Sequence, residues 1–310
     1  MKALIVGMGI GQLYKTVLEQ LNFSTVTVDL SKPADYSSVG QALTEHQNFD
    51  GVFICTPNFT HESIARQVAE HSRVVFIEKP GVETAEKWQG LVNDFPKTRF
   101  YMVKNNQYRD NITSTDNETF AFYNAFGNSP IHRESKLIKI NWINKNRIPN
   151  PGTWFTNKKQ SYGGVTRDLL PHLLSLVTFL RPQTYFYKDR FKLLQFEKKQ
   201  WHSLNDVLDT DYGTVDKNGV YDVDDYVRLD FELFDVKFEI TADWRSDEED
   251  DVSITFYNYD NIQKFQLGLC PESAYKNMIE AVFFRLENEY WWDRQLEIDL
   301  WIHRMVSYEN

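Results

Sequence analysis

The stretch KALIVGMGIG, residues 2–11, decides the fold. Its first half, Lys2 to Val6, reads as a buried strand, and GMGIG reads as a turn built on Gly7 and Gly9. A helical pattern follows, with Leu13, Val17 and Leu21 on one face. Glycines in such a turn permit a tight bend and let the backbone approach a ligand closely. The helix behind them offers unpaired N–H groups and the positive end of its dipole, which suits a pyrophosphate. The dinucleotide fingerprint asks for a third small residue at position 12. Gln12 stands there, with Gly11 one place early, so either the turn is a residue shorter or the third glycine is missing.

Outward from this turn the chain alternates strands and helices. STVTVDL (24–30), FDGVFICTP (49–57), RVVFIEKP (73–80) and RFYMVKN (99–105) are apolar runs, and a helix carrying Ile64, Val68 and Ala69 separates two of them. Continuous apolar strands suit a parallel sheet covered on both faces, and the alternation suits a doubly wound α/β domain. In such a sheet, ligands bind at the carboxyl ends of the strands. Gly7, Gly9, Ile10, Gly11, Thr56, Pro57, Asn58, Glu78, Lys79 and Asn105 all fall at those ends, with His61 at a helix start beside them. Asp29 closes the second strand about 20 residues after the glycines, where a carboxylate accepts hydrogen bonds from an adenosine ribose. Its charge repels a 2′-phosphate, which favours NAD; the nearby Lys32 keeps NADP as the alternative. The plain reading of Asp29 is a strand-end turn residue.

Beyond residue 110 the texture changes. The polar run DNITSTDNET (110–119) places the domain boundary, giving a dinucleotide-binding domain over 1–118 and a second domain over 119–310. In YVRLDFELF and VKFEITADW, apolar residues (Val227, Leu229, Phe231, Leu233; Val236, Phe238, Ile240, Ala242) alternate with polar ones. That is an antiparallel pair joined by a tight turn near Phe234-Asp235. SKLIKINWI (135–143) and DVSITFYNY (251–259) are further strands. The expected second domain is α+β on an open, mainly antiparallel sheet. Within it, SYGGVTRDLLPHLLSLVTFL (161–180) holds a helix with Asp168 and His172 four apart, hence on one face. Pro171 is tolerated only in a first turn, which suggests a helix starting near Asp168 with that residue as its N-cap.

The chain of 310 residues, 42% hydrophobic and 15% aromatic, builds a large core rather than a disordered segment. Its net charge of −10 disfavours nucleic acid and anionic membranes as partners. Cys55 and Cys270 have no neighbours at metal-ligand spacing and form no disulfide framework, so no metal site is expected. The first residues lack the long apolar region and cleavage site of a signal peptide, and no run is long enough to span a membrane. The expectation is a cytoplasmic protein. A basic loop, WINKNRIPNPGTWFTNKK (142–159), carries Lys145, Arg147, Lys158 and Lys159. It reads either as a surface that meets an anionic substrate, with Trp154 stacking on a sugar, or as a solvated loop with a packed tryptophan. After the fifth strand, Asn105, Tyr108 and Arg109 either reach the mouth of a pocket or form a locally bonded loop. DEEDD (247–251) reads as an exposed turn. Trp292, Leu296 and Leu300, at helical spacing, read as core or as a subunit contact.

The ordered set of the glycine turn, CTPNFTH (55–61), EKP (78–80) and GGVTRDLLPH (163–172) resembles the Gfo/Idh/MocA family of oxidoreductases. The likeness spans most of residues 1–180 and beyond that is one of texture. It implies a Rossmann domain followed by a domain whose open sheet covers the nicotinamide and commonly pairs across subunits, hence a homodimer or homotetramer. Lys79 matches the family's EKP lysine, whose bond to the proline is often cis, and Asp168 and His172 match the second-domain pair. The shortened glycine turn and Pro171 depart from the usual pattern.

The chemistry expected is hydride transfer between NAD and a secondary alcohol or carbonyl of a carbohydrate-like, anionic or neutral, small molecule. A neutral imidazole is suited to moving the hydroxyl proton near pH 7, and an ammonium stabilises developing alkoxide charge. His172 is therefore assigned as proton acceptor or donor, Lys79 as electrostatic stabiliser and relay, and Asp168 as orienter. The first two roles are exchangeable, since family members differ. Lys79, Tyr108, Trp154, Asp168 and His172 are the substrate-side candidates. The alternatives are an imine reductase on the same scaffold and a non-catalytic dinucleotide sensor. The retention of Lys79, Asp168 and His172 together argues against the sensor.

Overall fold

A computed structural model of the chain describes residues 1–110, 135–145, 147–181, 190–207, 213–258 and 261–308. These group into two compact units. Met1–Asn105 associates with Pro271–Arg304, and Asn106–Cys270 with Met305–Asn310. The single cut expected at 118 differs from this grouping at the C-terminal end, because residues 271–304 pack with the first unit. Most of the polar boundary run, residues 111–119, lies outside the described residues.

The first unit is built on β1 (Lys2–Val6), β2 (Ser24–Val28), β3 (Phe49–Ile54), β4 (Ser72–Ile77) and β5 (Arg99–Met102). All pair in parallel in the order β2-β1-β3-β4-β5. The chain thus steps outward one way from β1 and then the other, as a doubly wound sheet requires. The apolar runs are continuous because both faces are covered: Ala3, Leu4 and Ile5 on β1 and Val74, Val75 and Ile77 on β4 are all fully buried.

Between the strands lie α1 (Gly11–Gln20), α2 (Val39–Glu45), α3 (His61–Val68) and α4 (Ala85–Asp94). Ser38 and Thr84 cap α2 and α4 by accepting from the N–H groups of Gln41 and Lys87. The buried row of α1 is Gly11, Tyr14, Val17 and Leu18, rather than the expected Leu13, Val17 and Leu21. Tyr14 displaces Leu13 from the inner row because its ring packs on Phe53, at 5.3 Å, while its hydroxyl finds an acceptor in Glu78 at 2.7 Å.

The C-terminal return completes this unit. Phe283, on the helix Glu272–Phe284, lies 5.1 Å from Phe23 and 5.9 Å from Phe76, ring to ring. On the following helix, Glu289–Val306, Trp291 stacks on Tyr101 at 6.0 Å. Trp292 and Leu300 are buried, so this helix is core rather than exposed surface. Asp299 reaches the end of β5, where it accepts from the Lys104 ammonium at 2.5 Å; both side chains are inaccessible to solvent.

The second unit is a six-stranded sheet in the order β11-β10-β6-β9-β8-β7. Its strands are β6 (Leu137–Lys145), β7 (Phe191–Lys199), β8 (Tyr226–Leu233), β9 (Val236–Ser246), β10 (Asp251–Asn258) and β11 (Asn261–Gln266). Every pairing is antiparallel except β6 with β9, which is parallel. β8 and β9 form the expected hairpin, with Phe234 and Asp235 at φ of 49° and 62°, the twist that a two-residue turn needs. One face carries Leu229, Phe231, Phe238, Ile240, Ile138 and Ile140, all buried. The other carries an ion-pair network of Lys139, Arg228, Asp230, Lys237 and Glu239. α5 (Leu170–Leu180) is apolar all round and buried along almost its whole length, which suits a helix enclosed in a core.

The basic loop and the acidic run, read separately in the sequence, meet in this unit. Lys145 pairs with Glu249 and Arg147 with Asp250, and the Lys145 N–H donates to Asp250 at 2.7 Å. Two of the four cations thus have partners of the chain's own, which favours the structural reading of that loop.

Candidate active site

Each unit carries a share of the predicted site residues. In the first unit they gather at the carboxyl ends of the parallel strands. Gly7 has φ of +94°, and a Cβ there would stand 2.7 Å from the Cys55 carbonyl oxygen. Only glycine allows β1 and β3 to end this close. A Cβ on Gly11 would lie 2.9 Å from the Ile5 side chain, so Gly11 supplies the close helix-to-strand contact that position 12 usually provides. The turn is therefore a residue shorter, and its third glycine is present. At Gly9 an added Cβ would meet only the Lys32 ammonium, at 3.7 Å, which leaves the backbone open to an approaching group. Ile10 is partly exposed beside it. At the start of α1 the N–H groups of Gln12, Leu13 and Tyr14 turn back onto the Gly9 and Ile10 carbonyls, and the positive end of the helix dipole lies there.

Asp29 ties this turn to the end of β2. One carboxylate oxygen accepts from the Met8 N–H at 2.6 Å, and the other from the N–H groups of Ser31 and Lys32, both at 2.8 Å. Partial burial alone would raise its pKa. The N–H groups of Met8, Lys32 and Ser31 and the Ser31 hydroxyl outweigh that and hold it below the usual carboxylate range. Asp29 thus fastens the strand-end turn, as its plain reading has it, and stays ionised beside the glycines.

The next two strand ends are joined by a histidine. His61, fully buried at the start of α3, places Nδ1 2.7 Å from the Gly81 carbonyl and Nε2 2.8 Å from that of Thr56. Burial lowers its pKa and the Lys79 charge adds to this, while the two carbonyls oppose them. Asn58 opens the short turn before α3, and Thr60 donates to the Pro57 carbonyl at 2.7 Å. Glu78 accepts the Tyr14 hydroxyl; burial first, then the Glu78 charge, pushes that phenol well above its usual pKa. Lys79 is half-buried, its N–H donates to Glu78 at 3.2 Å, and its bond to Pro80 is cis. Asn105 is buried at the end of β5.

In the second unit, Asp168 does not cap a helix. It ends a short helical turn, Val165–Asp168, and α5 begins afresh after Leu169 with Pro171 in its first turn. The break falls where Pro171 brings no N–H to the ladder. The start of the turn is clamped by Asp224, whose carbonyl accepts from Val165 at 2.9 Å and whose carboxylate accepts from Thr166 N–H at 2.8 Å. A Cβ on Gly164 would overlap that carbonyl at 1.7 Å, which explains the glycine pair. The Asp168 carboxylate accepts the Trp244 indole N–H at 2.9 Å. His172, nearly buried, stacks on Trp142 with ring centres 5.5 Å apart and planes 28° apart.

Trp154 lies on Phe155 at 4.8 Å, and Phe155 lies 5.9 Å from Trp244, so an aromatic run leads to Asp168. Tyr108 is buried. Arg109 is buried too, and donates to Asn106 and to the carbonyls of Leu267, Gly268 and Leu269, which fits the local-loop reading. Sequence reasoning missed Trp142, Trp244 and Asp224. The first two continue the buried alternation of their strands, so extending the periods Ile138, Ile140 and Phe238, Ile240, Ala242 by one step would have found them.

Residues 1–103 match the Gfo/Idh/MocA family, described as an oxidoreductase family with an NAD-binding Rossmann fold. The likeness to that family covers the five parallel strands of the first unit. Solved structures share the fold over nearly the whole chain. GenD2 from gentamicin A biosynthesis, in complex with NAD, is 15% identical, with a TM-score of 0.72 over 97% of this chain and 92% of that one. Levoglucosan dehydrogenase with NADH and levoglucosan is 14% identical, with a TM-score of 0.70 over 99% and 96%. A myo-inositol dehydrogenase from Corynebacterium glutamicum is 13% identical, with a TM-score of 0.66 over 99% and 94%. At these identities the likeness establishes the fold. Among curated proteins, none matches the chain. Among the described residues, no helix is long and apolar enough to cross a membrane.

The glycine turn makes a direct prediction. Gly7→Ala should lower stability and weaken NADH binding, because the new methyl has no room. Gly9→Ala should leave the melting temperature unchanged and still weaken NADH binding by about tenfold or more, because it fills the open side of the turn. Calorimetric titration and thermal melts check both; a Gly9→Ala protein with unaltered affinity would move the pyrophosphate elsewhere.

Proposed function

We propose that the protein is an NAD-dependent oxidoreductase acting on a secondary alcohol or carbonyl of a carbohydrate-like small molecule. The observation that carries this reading is the glycine turn closed by Asp29. It has a backbone cradle that a Cβ at Gly7 would fill, an open approach at Gly9, and a carboxylate kept ionised where an adenosine ribose would sit. These residues fit a dinucleotide, and the charge on Asp29 favours NAD over NADP. The likeness of fold to levoglucosan dehydrogenase in complex with NADH and levoglucosan, and to a myo-inositol dehydrogenase, supports the substrate class.

Gly7, Gly9, Ile10, Gly11 and Asp29 would hold the pyrophosphate and ribose, with Thr56, Pro57, Asn58, His61, Glu78 and Asn105 forming the rest of that edge. Bound nicotinamide supplies the hydride acceptor or donor. The chain supplies the proton chemistry. His172 takes the hydroxyl proton as the carbonyl forms, or returns it in reduction. The Lys79 ammonium stabilises the negative charge that develops on that oxygen. Asp168 orients the base or binds a second hydroxyl. Trp154 offers a face to a sugar ring, and Tyr108 belongs to the same substrate-side set. A cytoplasmic homodimer or homotetramer belongs to the same proposal, on the strength of the family resemblance.

The test is to mix the protein with NADH and a panel of ketosugars and imines and to follow the nicotinamide absorbance. Oxidation of NADH by a ketosugar is the expected result. Consumption with imines alone would replace the substrate class, and binding of NADH without consumption by any member of the panel would leave a sensor.

A further inference from the structure

We infer that Trp244 and Trp142 are positioning residues for the reaction, each acting through one member of the Asp168 and His172 pair. The inference rests on the proposed roles of those two residues. The two indoles come from neighbouring strands, β9 and β6, which form the single parallel pairing among the described strands of their sheet. Trp142 stands opposite Ala242 in the register, and Trp244 follows two residues later. Two residues along a strand is one full side-chain period, so both indoles leave the same face, the one that also carries Ile140 and Ile240.

Trp244 is buried, and its only polar atom is spent on Asp168. An indole N–H has no acceptor function, so this contact can only present a donor to the carboxylate and fix its plane. That hydrogen bond holds one rotamer of a short side chain. Trp142 does the corresponding work by shape. Its ring covers one face of the His172 imidazole and limits rotation about the side-chain bond. Asp168 and His172 are thus held from the sheet side by two aromatic rings that take no part in proton transfer.

The experiment is a pair of double-mutant cycles on kcat, measured in the NADH assay with whichever member of the panel is turned over. Trp244→Phe keeps the ring and removes only the N–H. It should lower kcat about tenfold, leave the KM for NADH within about twofold, and cost nothing further in an Asp168→Ala background. Trp142→Leu should behave likewise with His172→Ala. Thermal melts of all variants run alongside. A tryptophan that merely fills space would lower the melting temperature and reduce the rate by the same factor in both backgrounds, which overturns the inference. A wild-type rate in Trp244→Phe, with Asp168→Ala impaired, overturns it while leaving the proposed catalytic set intact. Wild-type rates in both Asp168→Ala and His172→Ala remove the catalytic set and the positioning roles together.

Discussion

Replacing Lys104 by methionine is expected to cost about 3–5 kcal/mol of unfolding free energy, because it leaves the Asp299 carboxylate buried without its counter-charge. Asp299→Leu alone should cost a similar amount, by stranding the ammonium. Replacing both together should bring stability back to within about 1 kcal/mol of the parent protein, or above it. The reason is visible in both partners. Burial pushes the Asp299 carboxyl up to about 6, against the opposing pull of Lys104 and the Met102 N–H. Burial likewise pushes the Lys104 ammonium down, against the pull of Asp299. In each, desolvation outweighs the mutual attraction, so the ionised pair is less comfortable than two ions in water.

The sign of the pH dependence follows. A carboxyl raised in the folded state binds its proton more tightly there, so its stabilising contribution is complete below the unfolded value and is lost as pH rises through about 6. In Lys104→Met the opposing charge is gone, so the deficit against the parent should be smaller at pH 5 than at pH 8. Urea unfolding at the two pH values measures this. A deficit that does not change with pH would mean that Asp299 is not desolvated as the structure has it.

The second large effect concerns turnover. Lys79→Ala and His172→Ala are each expected to lower kcat by two orders of magnitude or more, which is the range for losing a general acid or base or a charge stabiliser. The Kd for NADH should change far less, because the glycine turn and Asp29 are untouched. Single-turnover rates and calorimetry separate the two quantities. If both variants turn over at near-normal rates, the proton chemistry lies with other residues.

The first unit was legible because its strands are covered on both faces and so read as unbroken apolar runs, each ending at a motif. The glycine turn was legible except for its register, which only the packing of Gly11 on Ile5 decided. In the second unit, alternation gave the faces of β8 and β9 and their hairpin. It could not give the parallel pairing of β6 with β9, because a face pattern says nothing about the direction of a neighbour. Asp168 read as a helix cap because Pro171 limits where a helix can start; the clamp from Asp224, far along the chain, starts a short turn earlier, at Val165. The basic loop and the acidic run each invited a separate explanation until the pairs of Lys145 and Arg147 with Glu249 and Asp250 joined them. The Lys104 and Asp299 pair left no local sign at all.

The distance between those two partners along the chain has a consequence for biosynthesis. Lys104 and Asp299 are 195 residues apart. At roughly 5–20 residues per second, a ribosome needs about 10–40 s to supply the second after the first. Throughout that interval the nascent nucleotide-binding half lacks Phe283, Trp291 and the carboxylate at the tip of its fifth strand. It must wait, partly open, while the intervening unit is made. A fragment ending near residue 118 would be caught permanently in that waiting state, with an aromatic wall facing water and an ammonium left to a carbonyl and a ring in place of its carboxylate.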